Sequence, residues 1–324
     1  MTNTENVEQV TATEPTGEYR SIWSDLRGVS FSQGWLDVDG IRTRYLRAGD
    51  PNAPKLVLMP GTGGHVETYA ANLGPLSEHF DCWAVDMIGQ GYTDKPSYDY
   101  DSFAAADFLV KLFAAAGIER ASLVGVSVGS WYAFRLAATH PELVDRLVLL
   151  APSGAPNPDP EDDWYELYRM PLDQGDDDVS SGVKLREKAA QKPTWEDARQ
   201  ILTQLIHDPR NITDDLIAAR VDVMSQPGAA ESTPHVMWWR NTDRRIANTL
   251  TKKELAGIQA PVLMFVGKTD FLQPITREIL KYLPNGRLIE FEGANHWIQY
   301  EAPHQFNELA IEFLTGEASP TPRA

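Results

Sequence analysis

The chain has 324 residues, and its 46 acidic and 29 basic side chains give a formal net charge of −17 at pH 7. A strongly negative surface repels phosphate groups, so nucleic acids and anionic membrane surfaces are poor partners for this protein. Its 9 Trp, 11 Tyr and 11 Phe residues exclude a wholly disordered chain. The length suits one large domain, or one domain that carries a substantial insertion.

Cys82 is the single cysteine, so no internal disulfide can form and the chain suits a reducing compartment. No apolar run approaches the roughly 20 residues that a membrane-spanning helix needs. The N-terminus lacks the basic region and apolar core of a secretory signal. We therefore expect the protein to be cytoplasmic. A small molecule is its expected partner, and assembly as a homodimer is left open.

Both ends of the chain are polar. Residues 1–18 are rich in Thr and Glu with scattered apolar side chains, which is typical of a flexible tail, and residues 317–324 have the same character. From Trp35 onward the pattern becomes regular, and apolar and polar residues alternate around Asp39-Gly40. This alternation predicts a β-hairpin.

Short apolar runs bounded by turn residues follow the hairpin. They are LVLMPG (56–61), CWAVDM (82–87), SLVGVS (122–127), RLVLLAP (146–152), VLMFVG (262–267) and RLIEFEG (287–293). Continuous apolar strands are typical of a parallel sheet that is covered on both faces. Helical patterns such as DFLVKLFAAAG separate most of the runs, so the predicted fold class is α/β, with a mostly parallel, doubly wound sheet.

The alternation of strands and helices stops over residues 156–258, where the patterns are helical and no strand is convincing. We therefore expect a helical cap over residues 156–258, inserted between two parts of one α/β core at residues 19–155 and 259–316. A separate helical domain is the alternative. The insertion is favoured because strands resume after residue 258.

The strand SLVGVS runs directly into Gly125-Val126-Ser127-Val128-Gly129, and a helical pattern follows. A sharp turn from strand to helix needs small residues on both sides of the serine, and it lifts the hydroxyl clear of the sheet edge. The N-terminus of the helix also favours developing negative charge. Ser127 is therefore the candidate nucleophile, and an ordinary Gly/Ser turn is the alternative.

A serine hydroxyl needs a base to take its proton and an acid to orient that base. His296 lies in the loop EGANHW after the last apparent strand, and Asp270 ends VLMFVGKTD just beyond another strand. The order Ser127, Asp270, His296 puts each residue past the carboxyl end of a strand, where open α/β sheets place their sites. The histidines lack the spacing of metal ligands, and no metal or organic cofactor is predicted.

Backbone N–H groups are expected to hold the negatively charged oxygen of the tetrahedral intermediate. We predict these donors at Val128, directly after the nucleophile, and at Thr62 in the glycine-rich loop 60–64. His65 follows this loop and should also reach the site. Phosphate binding by the loop is disfavoured, because the Lys-Ser/Thr of a phosphate-binding loop does not follow it.

These features resemble the α/β-hydrolase superfamily over roughly residues 34–316. The motifs are GVSVGS, PGTGG, DMIGQGYTDKP, GKTD and GANHWIQYEAPHQFNELAIEFL. Within the superfamily the chain looks most like the branch of the meta-cleavage-product hydrolases, which split carbon–carbon bonds in ring-opened aromatic compounds. The segment NITDDLIAAR and the ending HWIQYE…FN…IEFL carry that likeness. The resemblance implies that Arg220 binds a substrate carboxylate and that Trp297 flanks the site.

Two positions depart from that branch. Pro60-Gly61 stands where the branch usually has His-Gly, and Val126 stands where it has Asn. The leading hypothesis is therefore a serine hydrolase that cleaves a carboxylic ester or lactone with an apolar or aromatic part. Cleavage of a carbon–carbon bond in a 2-hydroxy-6-oxo-dienoate is the first alternative. A ligand receptor or an acyltransferase on the same fold is the second.

Aromatic side chains are concentrated near the strand-to-helix turn at Ser127 (the elbow), the predicted cap and His296, and they are candidates to line an apolar pocket. The substrate-binding candidates are Gly61, His65, Trp131, Arg220, Trp238 and Trp297, and Trp164 and Trp239 are further tryptophans of this kind. Packing within the core is the alternative role for each tryptophan.

Residues 159–178 hold nine acidic side chains and one Arg, a net charge of −8. A solvated, mobile entry to the cap is the expected role of this segment. If the segment borders the mouth of the pocket, it disfavours anionic substrates, and a dienoate is such an anion. This charge therefore ranks neutral esters and lactones above the carbon–carbon substrate.

Overall fold

The computed structural model describes residues 7–12, 21–157, 159, 161–162 and 178–316, with the backbone alone for 178–180. Its centre is a nine-stranded sheet in the order β1-β9-β8-β7-β6-β4-β5-β3-β2. The strands are β1 (Val7–Thr11), β2 (Phe31–Val38), β3 (Ile41–Ala48), β4 (Lys55–Met59), β5 (Asp81–Val85), β6 (Ala121–Val126), β7 (Val144–Leu150), β8 (Val262–Gly267) and β9 (Gly286–Glu292). β2 and β3 pair antiparallel, as do β3 and β5, and the other pairings are parallel.

The central strands are buried on both faces because successive side chains of a strand point to opposite sides of the sheet. In β4, Val57 and Met59 join one apolar cluster, whereas Leu56 and Leu58 join a second cluster on the other face. A strand that supplies two cores needs a continuous apolar sequence. This confirms the predicted doubly wound α/β sheet.

Helices cover both faces of the sheet and fill the long interval between β7 and β8. They are α1 (Ile22–Leu26), α2 (Ala70–Ser77), α3 (Ser102–Ala116), α4 (Val128–Thr139), α5 (Asp178–Gln191), α6 (Trp195–Thr203), α7 (Asp214–Met224), α8 (Ala229–Val236), α9 (Thr242–Asn248), α10 (Lys252–Gly257), α11 (Gln273–Leu280), α12 (Ile298–Glu301) and α13 (Pro303–Thr315). Short 3-10 helices occur at Val66–Tyr69, Pro141–Leu143, Pro209–Asn211 and Trp238–Arg240. Within the described ranges no helix combines the length and apolarity needed to cross a membrane.

The inserted helices (residues 178–257) contain no strand among the residues described there. They contact loops at the carboxyl edge of the sheet: the His296 N–H donates to the Leu205 carbonyl at 3.0 Å, and Ser232 Oγ donates to the Gly89 carbonyl at 3.1 Å. Helices in this position cover the edge at which the candidate triad lies. The boundaries 156 and 258 stay predictions, and most of the acidic segment 159–178 lies outside the described residues.

The expectation of a flexible tail over residues 1–18 is wrong for Val7–Thr11, which form β1 and pair parallel to β9. Val7 packs against one apolar cluster and Val10 against the other. An edge strand shares only one side with a neighbour, so a single apolar side chain on each face is enough to dock it. That pattern is too sparse to read as a strand from the sequence.

The predicted hairpin is confirmed, because β2 and β3 pair directly and Val38 faces Ile41 across the turn. Asp39 and Gly40 both have positive φ, at 54° and 83°. Tight hairpin turns need this conformation at both central positions, and Asp followed by Gly adopts it with little strain.

Candidate active site

Ser127 occupies the sharp turn between β6 and α4, with φ 53° and ψ −115°. A non-glycine residue rarely adopts this backbone conformation, and such strain concentrates at functional sites. Glycines make the turn sterically feasible: a Cβ on Gly129 would lie 2.8 Å from the carbonyl oxygens of Met59 and Pro60. A Cβ on Gly125 would lie 2.7 Å from the backbone of Gly129. The Gly-x-Ser-x-Gly spacing therefore reflects close backbone packing on both sides of the serine.

Asp270 and His296 form a buried hydrogen-bonded pair, with 2.7 Å between Asp270 Oδ2 and His296 Nδ1. The other carboxylate oxygen of Asp270 accepts the backbone N–H of Leu272 at 2.7 Å, which fixes the carboxylate plane. The ring of Phe271 stacks on the imidazole at a centroid distance of 5.6 Å. The imidazole is thus held from one side and one face, and its second nitrogen, Nε2, points away from Asp270.

β6, β7, β8 and β9 are neighbours in the sheet, so the loops after them that carry Ser127, Asp270 and His296 meet at one edge. Within the described residues no hydrogen bond joins Ser127 to His296. Catalytic hydrogen bonds are often long without a substrate and shorten when one binds. The structure thus supplies the orienting pair and the strained serine at the same edge.

The loop 60–64 lies against the elbow, because a Cβ on Gly61 would approach Ser127 Cβ to 3.2 Å. The Gly64 N–H is bound to the Gly61 carbonyl at 2.9 Å, and the Gly63 N–H is bound to Gln90 Oε1 at 2.5 Å. In the described part of the chain, the N–H groups of Thr62 and Val128 donate to no other protein group. These are the two predicted oxyanion donors, and both stay available to a ligand.

His65 is fully buried beneath the loop, and its Nδ1 lies 2.8 Å from Glu67 Oε2. Arg44 pairs with Glu67 and lies 3.5 Å from Asp86 Oδ2. Burial raises the pKa of Glu67, but the bond to His65 and the nearby charges outweigh it and bring the pKa down to about 2. This network anchors the loop from below, and a direct contact of His65 with substrate stays a prediction.

A cleft that is partly open to solvent lies between the loops of the sheet edge and the inserted helices, and we call it the cavity below. Thr62 and Gly63 form its border on the side of the elbow, and Arg220 and Arg186 line it from the inserted helices. Apolar side chains such as Ile201, Val223 and Met224 complete much of the wall. A binding site with apolar walls and a few charged groups is typical of small-molecule recognition.

Arg220 is 2% exposed, and its guanidinium donates to the Gly63 carbonyl in the loop 60–64. Its Nε is buried and has no hydrogen-bond partner among the residues that the structure describes. Burial, together with the nearby charge of Arg186, lowers the pKa of Arg220 to about 9. The guanidinium is still protonated at pH 7, so a buried positive charge faces the cavity next to the predicted oxyanion loop.

The predicted tryptophans pack within the protein in this structure. Trp131 and Trp238 meet edge to face at 4.8 Å, and Trp131 Nε1 donates to the Asn248 carbonyl at 3.0 Å. Trp297 is buried in the second apolar cluster and contacts Tyr300 edge to face. Contact of these tryptophans with substrate stays a prediction, and Trp239 is partly buried against the first cluster. Trp164 lies outside the described residues.

Three residues of this site were not predicted from the sequence. Arg186 lines the cavity, Gln90 holds the Gly63 N–H, and Glu301 supports the loop of His296. Gln90 lies in DMIGQGYTDKP, one of the motifs of the α/β-hydrolase resemblance, and the motif by itself predicts no role for this residue. Nothing in the local pattern around Arg186 or Glu301 distinguishes them from solvated charges on helices.

Glu301 ties the loop of His296 to the inserted helices. Its Oε1 accepts the Asn295 N–H at 2.8 Å, and its Oε2 accepts the His207 N–H at 2.6 Å. Burial raises the pKa of Glu301 to about 7, against the opposing effect of these backbone donors. A raised carboxyl pKa means that the group contributes stability at low pH, and this stability is lost as the pH rises through about 7.

Replacing Glu301 with Gln therefore removes a pH-dependent part of the stability. The quantity compared is the decrease in the free energy of unfolding between pH 5 and pH 8. This decrease should be about 2 kcal/mol smaller in Glu301→Gln than in the parent. Urea unfolding at both pH values measures this difference. Glu308→Gln, a change at an exposed position of α13, is the matched control. An unchanged difference in Glu301→Gln would show that the Glu301 pKa is ordinary in the folded protein.

Among the described residues, no group of three His, Cys, Asp or Glu side chains is placed to hold a metal ion. The strained serine in a strand-to-helix turn, the buried Asp–His pair and the inserted helices together define the class of α/β hydrolases.

A family model for the alpha/beta hydrolase fold matches residues 54–303, and the chain belongs to this family. A 2-hydroxy-6-oxo-6-phenylhexa-2,4-dienoate hydrolase of Comamonas testosteroni is 28% identical over 289 residues, 86% of this chain and 93% of the relative. A 2-hydroxy-6-oxononadienedioate/2-hydroxy-6-oxononatrienedioate hydrolase of the same organism is 26% identical over 297 residues, 86% of this chain and 94% of the relative.

The crystal structure of a serine hydrolase from the polyaromatic-hydrocarbon-degrading bacterium Cycloclasticus zankles superposes with a TM-score of 0.75 at 22% identity. The match covers 90% of this chain and 100% of that one. This likeness bears on the fold, and it confirms the predicted α/β-hydrolase architecture. The predicted class of enzyme, a hydrolase, is confirmed by the family and its relatives.

Proposed function

We propose that the protein is a serine hydrolase in which Ser127 attacks a carbonyl carbon, His296 carries the proton and Asp270 orients the imidazole. The strained elbow, the 2.7 Å contact between Asp270 and His296 and their shared sheet edge support these roles. The N–H groups of Thr62 and Val128 then bind the oxyanion, because neither N–H donates to another group among the described residues.

The substrate that we propose is an activated ketone that carries a carboxylate, of the 2-hydroxy-6-oxo-dienoate kind. One observation carries this choice: the buried guanidinium of Arg220 faces the cavity beside the loop 60–64, with a neutral carbonyl as its hydrogen-bond partner. A buried cation without an anionic partner is unfavourable, and a substrate carboxylate supplies that partner. The names of the two relatives supply the dienoate.

In the proposed reaction Ser127 Oγ adds to the ketone carbon and its proton passes to Nε2 of His296. This step uses the keto tautomer of the substrate, in which the proton of the 2-hydroxyl has moved to C5. Collapse of the tetrahedral intermediate breaks the C5–C6 bond, and the electron pair passes through the C3–C4 double bond to the C2 oxygen, which takes the proton from the imidazolium. Water then gives a proton to the same imidazole and adds to the acyl group. The products are a carboxylic acid, a hydroxydienoic acid and free Ser127.

The dienoate now ranks above the neutral ester or lactone, which is the reverse of the order expected from the sequence. The acidic segment 159–178 was the reason to disfavour anions, whereas the described lining of the cavity includes arginine and lysine and no Asp or Glu. Hydrolysis of a neutral ester or lactone stays the second candidate. It is favoured by Pro60 and by Val126, an apolar side chain buried beside the nucleophile.

Arg220→Met tests the choice between these candidates. Methionine keeps much of the apolar stem but cannot bind a carboxylate. We expect kcat/KM for a 2-hydroxy-6-oxo-dienoate to fall about 100-fold, measured by loss of the dienoate absorbance, because a charge-assisted bond is lost. Turnover of a neutral aryl ester should stay within about threefold. Arg199→Met, on the surface of α6, is the matched control.

Two outcomes would contradict the dienoate assignment. The parent enzyme would leave the dienoate intact while it rapidly cleaves aryl esters, or Arg220→Met would slow both substrates equally. The first outcome would establish the neutral ester as substrate. Product analysis would also separate hydrolysis from acyl transfer to another acceptor.

For the site of action we infer the cytoplasm, because Cys82 is a free, buried thiol.

A further inference from the structure

Arg186 is a second arginine that lines the cavity, from the inserted helix α5. Its Nη1 donates to the Gly182 carbonyl and to Gln204 Oε1, both at 3.0 Å, and both acceptors are neutral. Among the described residues Arg186 makes no ion pair with a carboxylate. Lys95 lines the opposite side, and its Nζ is likewise bound to the neutral carbonyl oxygens of Gly91 and Thr93.

The position of Arg186 is built by its neighbours. A Cβ on Gly182 would lie 2.8 Å from Gln204 Oε1 and 3.0 Å from Arg186 Nη1, so glycine leaves the room in which these two side chains meet. The contact joins α5 to the end of α6 and restrains the guanidinium at the cavity wall. Held in this way, a guanidinium loses less conformational entropy when an anion binds to its remaining N–H groups.

The positive charges of Arg186 and Arg220 repel each other. Burial lowers the pKa of Arg186 to about 10, and the charge of Arg186 adds to the effect of burial on Arg220. Both groups stay protonated at pH 7. Two like charges that line one partly enclosed cavity repel each other unless anions neutralise them, so this pair favours a ligand with more than one negative charge.

We propose that Arg186 is a second anion-binding residue and that the preferred substrate is a dicarboxylate, with one carboxylate on Arg220 and the other on Arg186. This inference rests on the proposed function. A preference for a dicarboxylate also distinguishes the two substrates after which the relatives are named, a phenyl-substituted monoacid and a nonadienedioate. The apolar side chains of Ile201, Val223 and Met224 line the same cavity, and they suit the carbon chain of the diacid.

The test compares the binding of a diacid with that of a monoacid. In a Ser127→Ala background, which does not turn the ligands over, calorimetry measures Kd for 2-hydroxy-6-oxononadienedioate and for 2-hydroxy-6-oxo-6-phenylhexa-2,4-dienoate. Adding Arg186→Met should weaken the diacid about 30-fold and the monoacid less than about threefold. Arg220→Met should weaken both ligands, and Arg199→Met should weaken neither. Thermal unfolding of each variant checks that it is folded.

A second pair of ligands keeps the inference testable if the proposed function fails. Pimelate and its monomethyl ester are compared as competitive inhibitors of aryl ester hydrolysis. We expect pimelate to bind at least about tenfold more tightly, and Arg186→Met should abolish this preference. If the parent consumes no dienoate but shows this preference, the proposed function is wrong and the second anion site stands.

The inference about Arg186 is overturned if Arg186→Met changes the binding of diacid and monoacid by the same factor, or changes neither, while Arg220→Met weakens both. Such a result would mean that Arg186 only supports α5 and α6 through Gln204. In that case the dienoate assignment would stand with a monoacid as the substrate.

Discussion

Replacing Ser127 with alanine is expected to lower kcat/KM by about 10⁵-fold while substrate still binds, because the acyl-enzyme cannot form. The residual rate would come from the N–H groups of Thr62 and Val128 and from binding in the cavity. The backbone of the elbow should survive the change, since its geometry depends on the glycines at 125 and 129 and not on the hydroxyl. KM should therefore change far less than kcat.

The measurement uses both a dienoate and an aryl ester, so that the result does not depend on which substrate class is right. Ser153→Ala is the matched control, because this serine follows the neighbouring strand β7 at the same sheet edge. A fluorophosphonate probe should label the parent and Ser153→Ala but not Ser127→Ala. Turnover by Ser127→Ala within tenfold of the parent would refute the assignment of the nucleophile.

The second large effect is expected for Asp270→Asn, at about 10⁴-fold in kcat. The asparagine carbonyl can still accept the Leu272 N–H, so the backbone of the loop is retained. Its amide then faces Nδ1 of His296 as a donor, where Asp270 now lies 2.7 Å away as an acceptor. The imidazole must place its proton on Nε2, and in that tautomer it cannot accept the serine proton.

Two readouts distinguish a tautomer effect from misfolding. The melting temperature should fall by no more than a few degrees, and labelling by the fluorophosphonate should slow in proportion to kcat. Asp101→Asn is the control, because Asp101 caps α3 and asparagine caps helices about as well. If Asp270→Asn keeps more than a tenth of the parent kcat, a different group orients the imidazole.

The parts of the fold that were predicted correctly are those that local sequence encodes. β6 had to be apolar throughout because it supplies cores on both faces, and the turn after it needed glycines at 125 and 129 for close packing. Asp39-Gly40 specified the hairpin turn through its positive φ values. Each of these requirements falls on a few consecutive residues, so each leaves a readable pattern.

β1 left no such pattern. Its apolar residues, Val7 and Val10, dock on separate clusters, and the remaining side chains of the strand are polar. Pairing with β9, which lies nearly the whole chain length away, gives the strand its conformation. Propensity cannot reveal a contact of that kind, since a polar edge strand and a flexible tail have similar compositions.

The charge expected for the substrate is where the expectation from the sequence and the structure differ most. The net charge of −17 and the acidic segment 159–178 argued for a neutral substrate. The cavity itself is lined by Arg186, Arg220 and Lys95 and by no acidic residue among those described. Net charge describes the average surface, whereas binding depends on the few charges that face the ligand in a poorly solvated site.

By itself, the sequence determined the α/β class, the serine elbow and the order of the three triad candidates, because each depends on periodicity or on short motifs at strand ends. Only the tertiary structure decided which charges share a cavity and which groups support His296. Arg186, Arg220 and Lys95 lie on different elements, and Glu301 reaches both Asn295 and His207. Their proximity arises from the packing of helices on the sheet edge, and no local pattern in the chain records it.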